Sequence, residues 1–224
     1  MGKDNQPKVR QANQLERKVG KRAGYDRILI VSEGSKTEPL YLNEIRASYR
    51  LSTTSVQVQH SQFGTSPLKV VEYAEHLFVN GDETKDIQPR AFEQVFVVFD
   101  RDEHDSYHNA LAKAKSLDGK LRNEDKQRVK FEAVASVPCF ELWLLLHFED
   151  VLAPLHRTEV YQRLRQYLTQ YDKGQAGHYA QTQQHLGQAI QRAEHLTELT
   201  TAHNAEEPYT DLHRLVHLLT TLKS

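Results

Sequence analysis

The chain has 224 residues, of which 38% are hydrophobic and 26% are charged, with a formal net charge of −1. This length suits one α/β domain with an extension or two small domains, and a mean hydropathy of −0.67 indicates a soluble protein. The single cysteine, Cys139, excludes an internal disulfide and a multi-cysteine zinc site. No apolar run is long enough to span a bilayer, and the polar first residues lack the apolar segment of a secretory signal, so we expect a cytoplasmic location without membrane contact.

The first residues form a basic segment. Residues 1–27 carry eight Lys and Arg against three Asp and Glu, and residues 1–24 show no periodicity, so we expect a flexible arm. Basic arms often contact phosphates. Contact with nucleic acid and a solvated tail without function are both compatible with this pattern.

The first predicted strand, residues 27–32, is the short apolar run RILIVS. It ends in Glu33 and Gly34, where glycine allows a tight turn. Thr37 is suited to the N-cap of a helix and Pro39 to its first turn, so we predict a helix after this turn.

The second predicted strand, residues 55–60, alternates valine with polar residues, which is typical of an exposed or edge strand. A second cap-and-proline pattern at residues 64–67 predicts a helix that runs to about Phe78. Residues 80–90 are polar and predict a loop.

The third predicted strand leads into an acidic cluster at residues 96–105, FVVFDRDEHD. Polar residues at the carboxyl end of a buried parallel strand lie where α/β sheets bind ligands. Asp100 and Asp102 are two apart and would point the same way in extended backbone. Two such carboxylates repel each other unless a cation lies between them, so we predict a Mg²⁺ or Mn²⁺ site.

The remaining pattern completes an α/β domain. The further elements before residue 150 are a helix at 106–117, a strand at 129–136 and a helix at 138–148. Four strands that alternate with helices predict an α/β fold with a parallel sheet in residues 25–150. Beyond it we predict three helices, at 160–168, 179–199 and 208–219, so that residues 151–224 form a helical region packed on the core.

The acidic residues of the first and third strands could meet. Glu33 and Asp100 end two strands that can be neighbours in a doubly wound sheet, and Asp102 would join them at the same rim. One glutamate beside an Asp-x-Asp pair suits phosphoryl transfer, because bound Mg²⁺ neutralises phosphate charge and lowers the pKa of a bound water.

The turn after the first strand adds candidate substrate contacts. Gly34 would let the backbone approach a phosphate, and Lys36 is placed to stabilise charge that develops on phosphate oxygens. Glu38 is either a further metal ligand or an electrostatic support for the helix N-terminus.

These motifs resemble a known family. Glu33-Gly34 after one apolar strand and Asp100-x-Asp102 after another resemble the TOPRIM domain of topoisomerases, primases and OLD-type nucleases. The sequence is still more similar to the RloB-like family, encoded beside restriction and phage-defence genes, over roughly residues 25–220. The segments that carry this resemblance are residues 33–38 with Tyr41, 99–102, 138–148 (PCFELWLLLHF), 171–173 and 210–216.

The resemblance implies a TOPRIM-like (Rossmann-like) fold and a Mg²⁺- or Mn²⁺-dependent nuclease. Glu33 would be the general acid/base or a metal ligand, and Asp100 and Asp102 would hold the metal. Glu38 and Glu141 would be the ligands of a second metal, if two are used. Water would be the nucleophile, because a separate domain with a nucleophilic tyrosine is lacking.

The same resemblance implies a biological setting. We expect anti-phage defence of the abortive-infection type, with DNA, RNA or tRNA as the partner nucleic acid. A partner defence protein such as an ATPase, and a homo-oligomer, are further expectations.

Several assignments have open alternatives. Lys173 could contact substrate phosphate or be an exposed loop lysine, and Glu141 could pair structurally with Arg or Lys. The histidine pairs four residues apart are more typical of surface or packing positions than of a metal site: His104 with His108 and His213 with His217.

Two rival functions remain. A non-catalytic metal-binding module of a defence complex would need the same carboxylates. A HAD-type phosphatase would use Asp100 as its nucleophile, but it expects the Asp-x-Asp motif on the first strand. An EF-hand is unlike this sequence, since the required glycine and the twelfth-position glutamate are missing.

Overall fold

The computed structural model describes residues 24–101, 106–204 and 208–223. These residues form five strands and eight α-helices, with short 3-10 helices at Glu83–Lys85 and Gln183–His185. In chain order they are β1 (Ile28–Ser32), α1 (Thr37–Ser48), β2 (Val56–His60), α2 (Pro67–Asn80), β3 (Gln94–Asp100), α3 (Tyr107–Leu117), β4 (Lys130–Val137), α4 (Glu141–Leu145), α5 (Arg157–Tyr167), α6 (His178–Thr182), α7 (Leu186–Leu199), β5 (Tyr209–Thr210) and α8 (Leu212–Thr221). The predicted flexible arm, apart from Gly24, lies outside the described residues.

The strands form one sheet in the order β2-β1-β3-β4-β5. The first four are parallel, and β5 pairs with β4 in the antiparallel direction. The predicted α/β, Rossmann-like fold is therefore confirmed, as is the edge position of β2. The order matches that of flavodoxin-like doubly wound sheets, in which ligands bind where the strand order reverses, between β1 and β3.

Helices cover both faces of the sheet, which explains the continuous apolar strands. On β1, Ile28 and Ile30 face a core shared with α1, α4 and the helices after residue 150. Leu29 and Val31 face the opposite core, shared with α2 and α3. The alternation of side chains along each strand thus builds two separate cores from one sheet.

The region after residue 150 joins the first of these cores. Val160 and Leu164 of α5, Leu196 of α7 and Leu215 of α8 are buried in the same cluster as Trp143. Within the described part of the chain, no helix combines the length and apolar character needed to cross a membrane.

The prediction of a helix over residues 208–219 is wrong at its start. Thr210 pairs with Ser136 of β4, and their hydroxyl oxygens lie 3.0 Å apart. The backbone N–H of Asp211 then donates to the carbonyl of Ala135 at 3.1 Å. The open edge of β4 offers hydrogen bonds that a helical start would leave unmade, so the chain forms β5 before α8 begins.

Two other predicted helices are shortened or interrupted, and α5 begins three residues before its predicted start. The apolar helix predicted at 138–148 is α-helical only over α4, because i→i+3 bonds tighten the turns on either side. The helix predicted at 179–199 is interrupted by the 3-10 turn at Gln183–His185.

Thr37 also differs from its prediction. It is the first residue of α1, not its N-cap, and its hydroxyl oxygen accepts a hydrogen bond from the N–H of Gly174 at 3.2 Å. A long-range contact to the C-terminal region therefore replaces the local cap.

Candidate functional site

The centre of the candidate site is the reversal point between β1 and β3. Glu33 directly follows β1, and its N–H donates to the carbonyl of Val98 at 2.9 Å. Its carboxylate accepts a hydrogen bond from the N–H of Asp100, the last residue of β3, at 3.1 Å. The pairing of β1 with β3 thus brings together two of the acidic residues that the sequence singled out.

Asp100 is buried, with only 8% of its surface exposed. A nitrogen of the Arg157 guanidinium lies 3.9 Å from its Oδ2 atom. The positive charge of Arg157 is therefore held next to the carboxylate that ends β3. Asp102 falls in residues 102–105, outside the described residues, so its predicted place beside Asp100 stays a prediction.

Glu38 lies in the first turn of α1 and folds back over the preceding loop. A Cβ atom at Gly34 would lie 2.1 Å from the Oε2 atom of Glu38, so only glycine leaves room for this carboxylate. Burial raises the pKa of Glu38, and the charge of Glu141 adds to this rise, while Lys173 and nearby N–H groups oppose it. The lack of a side chain at Gly34 therefore allows the buried carboxylate of Glu38 to occupy this position.

Glu141 begins α4 at the same edge of the sheet, and only 1% of its surface is exposed. Both carboxylate oxygens accept hydrogen bonds from phenols: Tyr171 at 2.7 Å and Tyr161 at 3.2 Å. The Nζ atom of Lys173 lies 3.6 Å from the Oε1 atom. Burial and the charge of Glu141 raise the pKa of both tyrosines, which keeps them protonated as donors.

Lys173 links this acid to the exposed surface. Desolvation lowers its pKa, but the charge of Glu141 and the contact with Tyr161 outweigh this and raise it. Its Nζ atom also lies 5.2 Å from the centre of the Tyr161 ring. The side chain stays about half exposed, so a fixed cation faces solvent near the buried acids.

Lys36 directly precedes α1, and its side chain packs against the loop after α5. A Cβ atom at Gly174 would lie 2.6 Å from its Cδ atom, so the stem of Lys36 packs against that glycine. The hydrogen bond from Gly174 to Thr37 holds the same two segments together. The loop that carries Lys173 is therefore attached to the turn that carries Gly34.

The donor chemistry of the site fits Mg²⁺. The described residues contain no group of three or more His, Cys, Asp or Glu side chains that could hold a metal ion. Mg²⁺, however, retains several waters and is commonly bound through one or two carboxylates together with substrate phosphates. Glu33 and Asp100, joined by the bond from the N–H of Asp100 to the Glu33 carboxylate, could supply such a pair of hard oxygen ligands at one sheet edge.

Sequence reasoning missed two residues of the site, Arg157 and Tyr161. They are four residues apart on α5 and therefore lie on one face of that helix. That spacing was visible in the sequence, but nothing in it indicated that α5 packs beside α4 and reaches the acids. Tyr171 entered only as part of a family motif, without a role.

The other groups that the sequence singled out have local partners, except that Cys139 lies beside Glu141. His108 stacks on His203 at 6.4 Å between ring centres. His213 is buried and its Nδ1 atom lies 3.1 Å from the carbonyl of Thr210, whereas His217 is exposed. Cys139 is buried, and burial raises the pKa of its thiol well above the usual value, so it is not a poised nucleophile.

Comparison with known proteins identifies the family. A family model described as RloB-like protein matches residues 28–219, which extend from β1 almost to the end of α8. Searches of curated proteins and of solved structures find no significant match. The matched segment contains every candidate site residue named above, and the chain belongs to the RloB-like family.

Proposed function

We propose that this protein is a Mg²⁺- or Mn²⁺-dependent hydrolase of phosphodiester bonds in nucleic acid. The observation that carries the proposal is the contact between Glu33 and Asp100 at the strand reversal point, with Arg157 beside it. Carboxylates for a metal and cations for a phosphate meet there at the edge where doubly wound sheets bind ligands.

Asp100 and Glu33 would hold the metal, with Asp102 as a further ligand and Glu38 as a candidate for a second ion. The bound metal would neutralise phosphate charge and make a bound water more acidic. Buried Glu38, with its raised pKa, is an acid whose ionised form a nearby cation would favour.

The protein's own side chains would bind the phosphate and move protons. Arg157, Lys173 and Lys36 would contact its oxygens, and Glu33 would take a proton from the attacking water. The water oxygen would bond to phosphorus while the bond to the leaving sugar oxygen breaks. That oxygen would take up a proton from solvent water, so that the products are a phosphate monoester and a hydroxyl end.

Glu141 would act by holding Lys173 and not as a metal ligand. Both of its oxygens already accept hydrogen bonds from tyrosines, and Lys173 approaches one of them. A buried carboxylate with these partners fixes the lysine while its positive charge still faces solvent. This favours the structural pairing that the sequence left open for Glu141.

We infer the biological setting only from the resemblance to this family. Degradation of nucleic acid by a protein of this family would serve anti-phage defence of the abortive-infection type. A partner such as an ATPase would supply the trigger for cleavage.

A second candidate is a metal-binding module without catalysis. The observation that favours it is that two tyrosines donate hydrogen bonds to the oxygens of Glu141, as is expected of a buried acid that stabilises the fold. This module would bind Mn²⁺ through the same carboxylates but would cleave nothing.

The test is cleavage of plasmid DNA and total tRNA with Mg²⁺ or Mn²⁺ by the wild type, Asp100→Asn and Asp150→Asn. Asp150 is an exposed aspartate paired with Arg192 and serves as the matched control. We expect metal-dependent cleavage by the wild type and the control, and none by Asp100→Asn.

The other outcomes separate the alternatives. Mn²⁺ binding that depends on Asp100, without cleavage of either substrate, would support the non-catalytic module. Hydrolysis of p-nitrophenyl phosphate without cleavage of diesters would point to a HAD-type phosphatase. Cleavage by Asp100→Asn at the wild-type rate would show that the reaction occurs at another site of the protein.

A further inference from the structure

The loop after β2 carries an exposed aromatic ring at the same sheet edge as Glu33 and Asp100. Because β2 is parallel to β1 and adjacent to it, both strands end at this edge. The N–H of Ser61 donates to the carbonyl of Ser32 at 2.9 Å, so the loop starts beside Glu33. Phe63 follows two residues later, which places its Cα atom within about 12 Å of that of Glu33.

The ring of Phe63 contacts two rings of α2 and still remains about half exposed. Its centre lies 5.0 Å from that of Tyr73 and 5.2 Å from that of His76, both on α2. Despite these contacts, 48% of the residue is exposed. Isolated apolar residues are common on protein surfaces. Phe63 differs in being an aromatic ring that is held in place beside a site with charges suited to phosphate.

The supports of Phe63 and the cations of the site lie on opposite sides of the sheet. Tyr73 belongs to the core formed with α2 and α3, whereas α5 packs into the core on the other face. Arg157 and Lys173 come from α5 and the loop that follows it. A chain that crosses the sheet edge from these cations to Phe63 would therefore pass over Glu33 and Asp100.

We propose that Phe63 is a stacking subsite for a nucleobase and that the substrate is single-stranded, or unpaired at the point of cleavage. Stacking on an aromatic ring needs a base whose face is free, and a base inside a duplex has both faces covered. The stacked base would lie within a few nucleotides of the phosphate held by Arg157 and Lys173. This subsite rests on the proposed function, because the phosphodiester at Glu33 and Asp100 defines its position.

The test is binding of short, fluorescein-labelled oligouridylate and oligodeoxythymidylate, measured by anisotropy with chelator present so that no cleavage occurs. A labelled duplex of the same length is the comparison ligand. The variants are Phe63→Ala, Phe63→Trp and Leu199→Ala, the last a control for loss of an exposed apolar side chain at the end of α7. We expect Phe63→Ala to weaken single-strand binding about tenfold, Phe63→Trp to retain it and Leu199→Ala to leave it unchanged.

Duplex binding should be the same in all four proteins. Equal single-strand affinities of the wild type and Phe63→Ala would overturn the subsite, as would failure of the wild type to bind single strands. Phe63-dependent binding without metal-dependent cleavage would retain the subsite and reject hydrolysis. Cleavage that is insensitive to Phe63→Ala would retain hydrolysis and reject the subsite.

Discussion

The carboxylate of Glu33 and the backbone N–H of Asp100 are joined by a hydrogen bond of 3.1 Å, although 67 positions separate them in the chain. The contact closes the gap between the ends of β1 and β3, the two strands at which the sheet order reverses. One residue therefore both fixes the strand ends and supplies a carboxylate to the candidate site.

Separate substitutions can distinguish these two roles of Glu33. Glu33→Gln keeps an oxygen that accepts the hydrogen bond but removes the charge and the basic group. We expect its free energy of unfolding, measured in urea, to equal that of the wild type, and its cleavage rate to fall about 100-fold or more. Glu33→Ala should also lose about 1 kcal/mol of stability, since the N–H of Asp100 loses its partner. Glu198→Gln, an exposed control, should match the wild type in both measurements; a wild-type rate in Glu33→Gln would remove Glu33 from the reaction.

Gly34→Ala should disturb the buried acid beside it. The added Cβ would overlap the Glu38 carboxylate, so we expect a loss of about 1–3 kcal/mol in the free energy of unfolding, measured in urea. The matched control is Gly187→Ala in α7, where a Cβ meets nothing within 4 Å and alanine should be neutral or stabilising. Combining Gly34→Ala with Glu38→Ala should recover part of the loss. Full stability of Gly34→Ala alone would mean that Glu38 moves aside at little cost.

Two tyrosines that donate to glutamates should differ in their effect on stability. Tyr171→Phe leaves the buried Glu141 without its shortest hydrogen bond, so we expect a loss of about 1–3 kcal/mol. Tyr167→Phe removes a similar bond to Glu149, but Tyr167 is 43% exposed and water can replace the hydroxyl, so the loss should stay below about 0.5 kcal/mol. Urea unfolding of the two variants makes the comparison. Equal losses would show that burial of Glu141 does not govern the cost.

Lys173 should affect substrate binding more than the chemical step. Lys173→Met removes the cation that faces solvent, so we expect KM for the oligonucleotide to rise about tenfold with a smaller change in kcat. Lys173→Arg keeps the charge and should restore most of the affinity. Lys113→Met, on α3 and paired with Glu75, is the control without effect. A fall in kcat at constant KM would instead place Lys173 in the chemical step.

Asp211 should make stability fall as pH rises through the weakly acidic range. Burial raises its pKa to about 6, against the hydrogen bond from Tyr209 and the charge of Arg214, which act to lower it. The folded protein therefore holds a proton between about pH 4 and 6 that the unfolded chain has lost, so this stabilisation is present at low pH and is lost towards neutral pH. Relative to the wild type, Asp211→Asn should gain up to about 3 kcal/mol between pH 4 and 7.

The control for this titration is Asp82→Asn. The hydrogen bond from Lys85 lowers the pKa of Asp82 to about 2, so its contribution is present above about pH 4 and is lost as the pH falls. The contribution of Asp82 to the free energy of unfolding should therefore rise with pH, whereas that of Asp211 falls. Urea unfolding of the three proteins at several pH values tests both, and a flat difference for Asp211→Asn would contradict the raised pKa.

The sequence alone was sufficient for the four parallel strands and for the place of the acidic residues at their ends. Short apolar runs rich in Val and Phe, such as residues 96–99, indicate strands buried on both faces, because helices cover both sides of a parallel sheet. Glu33 and Asp100 each follow such a run, and parallel strands bring their carboxyl ends to one edge. That Glu33 and Asp100 could meet followed from this topology, and the pairing of β1 with β3 brings them together.

Tertiary structure alone decided what surrounds those acids. Arg157 and Tyr161 reach the site because α5 packs beside α4, and the two strand residues of β5 pair with β4 because an open sheet edge was available there. Gly34 is needed for Glu38, and Glu141 is held by three side chains that lie 20 to 32 residues further along the chain. Contacts between distant segments depend on shape and burial, which no local pattern of residues encodes. The sequence thus determined which groups could do chemistry, and packing determined which partners they have.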